Sequence, residues 1–276
     1  MLSLQAFQGE EHQPFLWNGG APAALLVHGF PGSPAELRPL ADALYVQGWT
    51  VQGLLLPGFG PEFETLANRR SEEWFASVRD ALRALKQEHE TVVLIGLSMG
   101  GALALRVAAV EAPAALVLLA PFWTMDSVLW RALPLIKTVF PTFPIFRLLK
   151  LDFSDPEVRE GIRTFMPQAD LDDPAVQDAI RNYRLPLKMF NEIRRTGLAA
   201  YESVKRVSVP TLIIQGLDDE LVKPVYTRRL KAMLPGETRY LELPADHVLL
   251  NSEASAWGQI RQSILDFAEL SKTRGV

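Results

Sequence analysis

The chain contains no cysteine, which excludes disulfides, thiolate-bound metals and thiol nucleophiles together. Histidine is scarce, at four in 276 residues, so imidazole chemistry has few places to reside. Positive charge is not in excess: 28 Lys and Arg stand against 32 Asp and Glu, for a net charge of −4. Nucleic acid is therefore not an expected partner. No uncharged apolar run reaches the roughly 18 residues of a membrane span. The stretch from Met1 to His12 also has neither the basic start nor the apolar run of a signal peptide. A cytoplasmic location is the expectation. What remains is ordinary for a globular protein, 48% hydrophobic and 22% charged. A chain of this length can bury about three-quarters of its extended surface in one or two domains.

The stretch Thr91 to Val107 organises the rest. It begins as a β-branched apolar run, passes through Gly96-Leu97-Ser98-Met99-Gly100, and continues as an Ala/Leu-rich helix without a break. Small residues two before and two after the serine let strand and helix approach closely, leaving Ser98 at the apex of a strained turn. The helix that starts there aims its free N–H groups and positive dipole end at any negative charge developing beside the hydroxyl. By composition alone, Gly-x-Ser-x-Gly arises in about one chain of this length in ten. Its position between a strand and a helix, and not the motif itself, carries the reading of a nucleophile elbow.

Along the chain, residues 2 to 17 suggest an edge hairpin, and Ala23 to Val27 a buried strand ending in the tight loop His28-Gly29-Phe30-Pro31-Gly32-Ser33-Pro34. A helix over Glu36 to Gln47 and a strand over Trp49 to Leu56 follow. Ser71, ahead of Glu72 and Glu73, reads as the N-cap of another helix. Ala114 to Ala120 supplies a further strand. Continuously apolar strands alternating with helices indicate a mostly parallel sheet covered on both faces. From Phe122 to about Lys205 the pattern is helical, broken by prolines such as Pro134, Pro156 and Pro174, with no convincing strand. Alternation resumes with strands at Val209 to Gly216 and Thr238 to Leu243 and a last helix from about Ala254. The expected organisation is a core of residues 1–121 and 206–276, with residues 122–205 inserted as a helical cap after the strand ending at Ala120.

A serine hydroxyl is a weak nucleophile near neutral pH and needs a base, usually histidine, oriented by a carboxylate. His12 and His89 lie in polar stretches where a surface position is the default. His28 is expected to shape its loop. His247 follows the final strand, downstream of Ser98, where the order Ser, acid, His would place the base. Asp218, Asp219 and Glu220, after the strand ending at Gly216, are acid candidates, and Asp126 is a further one.

With these residues in hand, the chain resembles the α/β-hydrolase superfamily, specifically its small bacterial carboxylesterases and monoacylglycerol lipases. The resemblance rests on His28-Gly29-Phe30, on Gly96 to Gly101, on Gly216-x-x-Asp219-x-x-Val222 and on Asp246-His247-Val248. It implies Ser98 as nucleophile, Asp219 as acid and His247 as base, with the backbone N–H groups of Phe30 and Met99 forming an oxyanion hole. Two departures stand out. Pro31 gives a His-Gly-Phe-Pro loop like that of epoxide hydrolases, whose chemistry needs an aspartate where Ser98 stands, and Phe59 occupies a position that is often histidine.

The implied reaction is hydrolysis of carboxylic esters with apolar short-to-medium acyl groups through an acyl-enzyme, with monoacylglycerols as candidate substrates and no metal or cofactor required. Rival readings on the same scaffold are thioester, amide or carbon–carbon bond hydrolysis, or a ligand receptor without turnover. Phe122, Trp123 and Trp130 in the insertion are candidate pocket residues. Its apolar residues, with Arg131 and Lys137 among them, also suggest transient contact with a lipid surface.

Overall fold

The computed structural model describes residues 7–125, 127–143, 151–166 and 169–272. Asp126, and Phe146 among the insertion's aromatics, lie outside the described residues. A seven-stranded sheet forms the centre, in the order β1-β3-β2-β4-β5-β8-β9, with β1 Phe15–Trp17, β2 Ala23–Val27, β3 Thr50–Leu54, β4 Val92–Leu97, β5 Ala115–Leu119, β8 Thr211–Gly216 and β9 Thr238–Leu243. All neighbours are parallel except β1, which pairs antiparallel with β3. The expected hairpin at the start is thus a 3-10 turn, Glu10–His12, and a single edge strand. Two-residue strands β6, Thr142–Phe143, and β7, Leu185–Pro186, make a separate small ladder.

Each central strand feeds two cores. In β2, Ala23, Leu25 and Val27 face one side while Ala24 and Leu26 face the other. Val92 and Leu94 of β4 likewise oppose Val93, Ile95 and Leu97. This two-sided burial is why these strands read as unbroken apolar runs. Helices α2, Ser71–Glu88, and α3, Met99–Ala108, cover the first face, and α1, Arg38–Val46, covers the second together with the C-terminal helix, Trp257–Lys272.

Chain order reverses direction between β2 and β4. From β2 the chain steps outward to β3, then returns to place β4 on the other flank of β2. Loops leaving the C-terminal ends of strands diverge at such a point and open a crevice. The loop after β2 and the turn after β4 therefore share one crevice, with Val27 registered against Gly96.

Between β5 and β8 the described elements are helical: α4 Val128–Val139, α5 Pro156–Phe165, α6 Pro174–Asn182 and α7 Leu187–Ser203, beside the β6–β7 ladder. Pro156 and Pro174 open helices, where a missing N–H costs nothing, whereas Pro134 sits inside α4. Helix α7 lies directly on α3, and its Leu187, Met189 and Ile193 are buried. Gly197 lets α7 also pass close to the segment after β5, because a Cβ there would stand 2.5 Å from the Trp123 carbonyl oxygen. Helices α8, Pro224–Lys231, and α9, Trp257–Lys272, complete the chain. Among the described residues no helix is long and apolar enough to cross a membrane.

One buried carboxylate ties α7 to the sheet's covering layer. Ser71 proves to be the first residue of α2, after an N-cap at Arg70, and not the cap itself. Its backbone N–H and hydroxyl both donate to Glu192 Oε2, at 3.0 and 3.1 Å. Glu192 thus caps α2 from a distant helix, where the dipole favours an anion. Replacing Glu192 with alanine leaves two buried donors unpaired, so we expect a loss of about 2–3 kcal/mol. Glu192→Gln, which keeps an acceptor, should cost less. Urea unfolding of both variants checks this: equal losses would show that the bonds to Ser71 are not what the carboxylate contributes.

Candidate active site

The elbow is built from backbone contact. A Cβ at Gly100 would stand 2.2 Å from the Val27 carbonyl oxygen, and one at Gly96 would stand 2.3 Å from the Gly100 carbonyl oxygen. Only glycine lets α3 begin this close to β2 and β4. Between them Ser98 adopts φ 53° and ψ −116°, a left-handed conformation that β-carbon sterics disfavour. It is held there because its N–H donates to the Leu119 carbonyl at 2.8 Å and its own carbonyl accepts from Phe122 N at 3.0 Å. Strain fixed by surrounding bonds is what a presented nucleophile requires.

The loop after β2 lies alongside. Gly29 is so near that a Cβ on it would be 3.1 Å from the Ser98 Cβ. His28 is fully buried; its Nδ1 pairs with the Gly29 carbonyl at 2.8 Å, and its Nε2 accepts from Leu56 N at 3.1 Å. Both ring nitrogens are engaged, and burial holds the imidazole down at about 4, so His28 is a neutral strut of the loop. Among the described residues neither the Phe30 nor the Met99 N–H has an acceptor. Two donors are thereby left beside Ser98, where an oxyanion could use them.

His247 and Asp219 meet on the far side. Asp219 is 2% exposed while its neighbours Asp218 and Glu220 face solvent. The Asp219 Oδ2 lies 2.7 Å from His247 Nδ1 and 3.2 Å from Gln215 Nε2, and Oδ1 accepts from Leu221 N and Val222 N at 2.9 and 2.7 Å. Four donors offset the cost of burying this carboxylate. The bond at Nδ1 directs Nε2 away from the acid, the tautomer and orientation a base needs.

Gln215 gave no signal in the sequence, since a glutamine inside an apolar strand has no motif. It is fully buried, donates to the Gly216 and Val222 carbonyls as well as to Asp219, and accepts from Thr227 Oγ1 at 2.5 Å. It closes the acid loop onto α8. His12, expected at the surface, is buried because Nδ1 bonds Ser33 Oγ at 2.7 Å and the ring packs on Phe7. His89 meets the Ala21 carbonyl at 2.6 Å.

Above Ser98 opens a cavity of about 500 Å³. Phe30, Ser98 and Met99 line it together with Phe122, Trp130, Leu133 and Phe190. Among its described lining residues, Ser98 and Ser127 alone carry polar side chains, so the space suits an apolar chain ending at the hydroxyl. Trp123 is placed elsewhere. Its Nε1 donates to the Tyr226 carbonyl at 3.0 Å and its ring stacks on Tyr201, contacts with residues far along the chain. Among the described residues no cluster of His, Asp and Glu could hold a metal ion.

Comparison with known proteins agrees with this architecture. Over 96 residues the chain is 42% identical to the thermostable monoacylglycerol lipase of Bacillus sp. strain H-257, and over 95 residues it is 37% identical to a carboxylesterase of Bacillus subtilis strain 168. These matches span 38% and 39% of the respective relatives, well under half of each. Among solved structures, one from work on the metagenome-derived lipolytic enzymes LipS and LipT superposes with a TM-score of 0.74 at 24% identity, covering 94% of this chain and 98% of that one. The monoacylglycerol lipase of Paleococcus ferrophilus gives 0.67 at 19% identity, covering 94% and 99%. Both likenesses bear on the fold. The model of the alpha/beta hydrolase family matches residues 24–257, from β2 into the last helix, and the chain belongs to that family.

Proposed function

We propose that this protein is a serine carboxylic-ester hydrolase. The observation that carries the reading is the 2.7 Å bond between buried Asp219 and partly open His247, in a fold whose elbow serine opens into an apolar cavity. Ser98 attacks the acyl carbonyl as His247 takes its proton, and the Phe30 and Met99 N–H groups hold the tetrahedral oxyanion. The alcohol leaves with the proton from His247. Water, activated by the same imidazole, then releases the acid. The insertion acts as a cap over this cavity. The names of the Bacillus relatives support esters, monoacylglycerols included, as the substrate class. On α4, Val128, Leu135 and Val139, none of which lines the cavity, are all at least 70% exposed, which supports transient contact of the cap with a lipid surface.

Ser98→Ala should lower turnover of a nitrophenyl ester by about a millionfold without unfolding the protein. A folded variant retaining near wild-type rates would refute the assignment of the nucleophile.

The cavity predicts a chain-length profile. Each methylene buried in it is worth about 0.8 kcal/mol until the space is filled, so butyryl and hexanoyl esters should exceed acetyl esters in kcat/KM by about tenfold or more. A panel of nitrophenyl esters reads this directly, and a flat profile would remove the cavity from substrate recognition.

The acid is tested by comparing two neighbours. Asp219→Asn should reduce kcat about ten-thousandfold, because the amide no longer stabilises the imidazolium or its tautomer. Asp218→Asn, on an exposed side chain, should leave kcat nearly unchanged. Steady-state kinetics that reversed this order would overturn the role of Asp219.

A further inference from the structure

The loop after β2, which carries the Phe30 N–H, is gripped by rings from two sides. On the core side, Phe59 in the segment after β3 is fully buried. Its ring meets the His28 ring at 5.0 Å and the Phe30 ring at 6.2 Å between centroids, edge to face in both cases. It therefore braces both ends of His28-Gly29-Phe30. Phe59 is itself fixed, because its N–H donates to the Leu56 carbonyl at 3.0 Å and its ring meets that of buried Trp74 at 5.7 Å. A phenylalanine thus has a task at a position that is often histidine. Between the braced ends, the Gly29 N–H donates to Glu36 Oε1 at 2.7 Å.

On the cap side stands Phe190 of α7. Its ring meets that of Phe30 at 5.8 Å and 70°, the edge-to-face arrangement that aromatic rings prefer. Leu187, Phe190 and Ile193 recur three residues apart, so they form one stripe along the helix, and all three line the cavity. Other residues of the same helix hold it down: Met189 is buried, and Glu192 accepts two hydrogen bonds from Ser71 of α2. Phe190 is therefore delivered to Phe30 by a helix anchored on the core. Both rings border the space an acyl chain would fill.

Among the described residues the Phe30 N–H has no acceptor, so no hydrogen bond of its own aims it. Its direction follows from whatever holds the rest of the residue. Ring and amide share one Cα, and a shift of Phe30 that let the ring drop into empty space would turn the N–H away from Ser98. Clamping the ring between Phe59 and Phe190 prevents that shift before any substrate arrives. A donor stabilises an oxyanion best when it needs no reorientation at the moment of reaction.

We propose that Phe190 is a positioning residue of the Ser98 site, a ring carried by the cap that keeps the Phe30 N–H aimed at the oxyanion, with the acyl chain in the cavity reinforcing its hold. The proposal rests on the serine-hydrolase reading above. A chain packed against Phe30 and Phe190 bears on the same clamp, so filling the cavity speeds the chemical step as well as tightening binding. A residue that was only a cavity wall would affect the binding of long chains and leave short ones untouched.

The test compares wild type with Phe190→Leu, which keeps most of the bulk and loses the ring, and Phe190→Tyr, which keeps the ring. Steady-state kinetics are measured on nitrophenyl acetate and nitrophenyl hexanoate, with inhibition by trifluoroacetone and thermal unfolding alongside. Phe190→Leu should lower kcat for the acetyl ester about tenfold with KM nearly unchanged, the pattern of an interaction made only in the transition state. The hexanoyl ester should lose only about two- to threefold, because its chain supplies contacts the ring no longer makes. Trifluoroacetone, whose hemiketal with Ser98 carries the oxyanion but no acyl chain, should inhibit this variant about tenfold more weakly. Phe190→Tyr should stay within about twofold of wild type on both esters. Should Phe190→Leu fail to fold, Phe190→Met, which fills the same space with a flexible chain, gives the same comparison.

Wild-type kcat on the acetyl ester in Phe190→Leu, with the change confined to KM for the hexanoyl ester, would overturn the proposal and leave Phe190 as a wall. Unaltered inhibition by trifluoroacetone would overturn it as well. So would equal losses on both esters, since the acyl chain would then lend Phe30 nothing. A wild-type protein that neither reacts with a fluorophosphonate nor hydrolyses any ester would overturn the hydrolase reading and this one with it. An active wild type matched by Phe190→Leu in every assay would remove the Phe190 proposal alone.

Discussion

The contact on which the rest of the site depends is between three pieces of backbone: the end of β2, the end of β4 and the first turn of α3. Gly96 and Gly100 remove the β-carbons that would keep these segments apart. Once they touch, Ser98 has nowhere to go but the apex, in a left-handed conformation held by the hydrogen bonds it donates to β5 and accepts from Phe122. The same contact brings the loop after β2 against the serine. Parallel strands β2 and β4 lie side by side with Val27 opposite Gly96, so their loops leave the sheet one residue from each other. The strand order thus determines which loop can supply a donor to an anion on the serine, before any side chain is considered.

The acid side is solved differently. Asp219 is surrounded by donors from its own turn, the N–H groups of Leu221 and Val222, and by Gln215 from the strand just before it. Such local satisfaction lets a carboxylate be buried beside one imidazole without a cation. The negative charge then has a single variable partner, His247, whose side chain keeps 24% of its surface open while Asp219 keeps none. Desolvation strengthens the pair, and the open edge of the ring leaves room for proton exchange.

Much of this was legible in the chain because it is local. The elbow announces itself by glycine spacing between two apolar segments, and the sheet by strands apolar on both faces. The place after β9 points to His247, and the place after β8 narrows the acid to Asp218, Asp219 or Glu220, among which the family resemblance selects Asp219. The features that escaped are pairings between distant positions, which leave no periodic trace. Glu192 reaches Ser71 across 121 residues, so Ser71, which reads as a cap, is instead the recipient of one. Trp123 looks like a pocket residue by composition, yet Tyr226 and Tyr201 draw it away. His12 sits in a polar stretch and is buried because one hydroxyl, that of Ser33, accommodates its polar edge. Gln215 interrupts no pattern that periodicity could detect, although four hydrogen bonds depend on it.

Two imidazoles border the crevice, and their surroundings separate their roles. His28 has both nitrogens occupied and is held neutral by burial, so no proton can arrive or leave without breaking the loop. His247 has one nitrogen bound to a carboxylate and part of its ring open to solvent. The one ring keeps a nitrogen free of its structural bond, whereas the other spends both on the loop it supports. The difference arises from where each loop enters the sheet. The first follows an interior strand and is enclosed by β3, whose continuation supplies the Leu56 amide. The other follows the edge strand β9, where there is no further strand to close over it. An edge position is a liability for a sheet, but here it leaves the imidazole of His247 accessible while that of His28 is sealed.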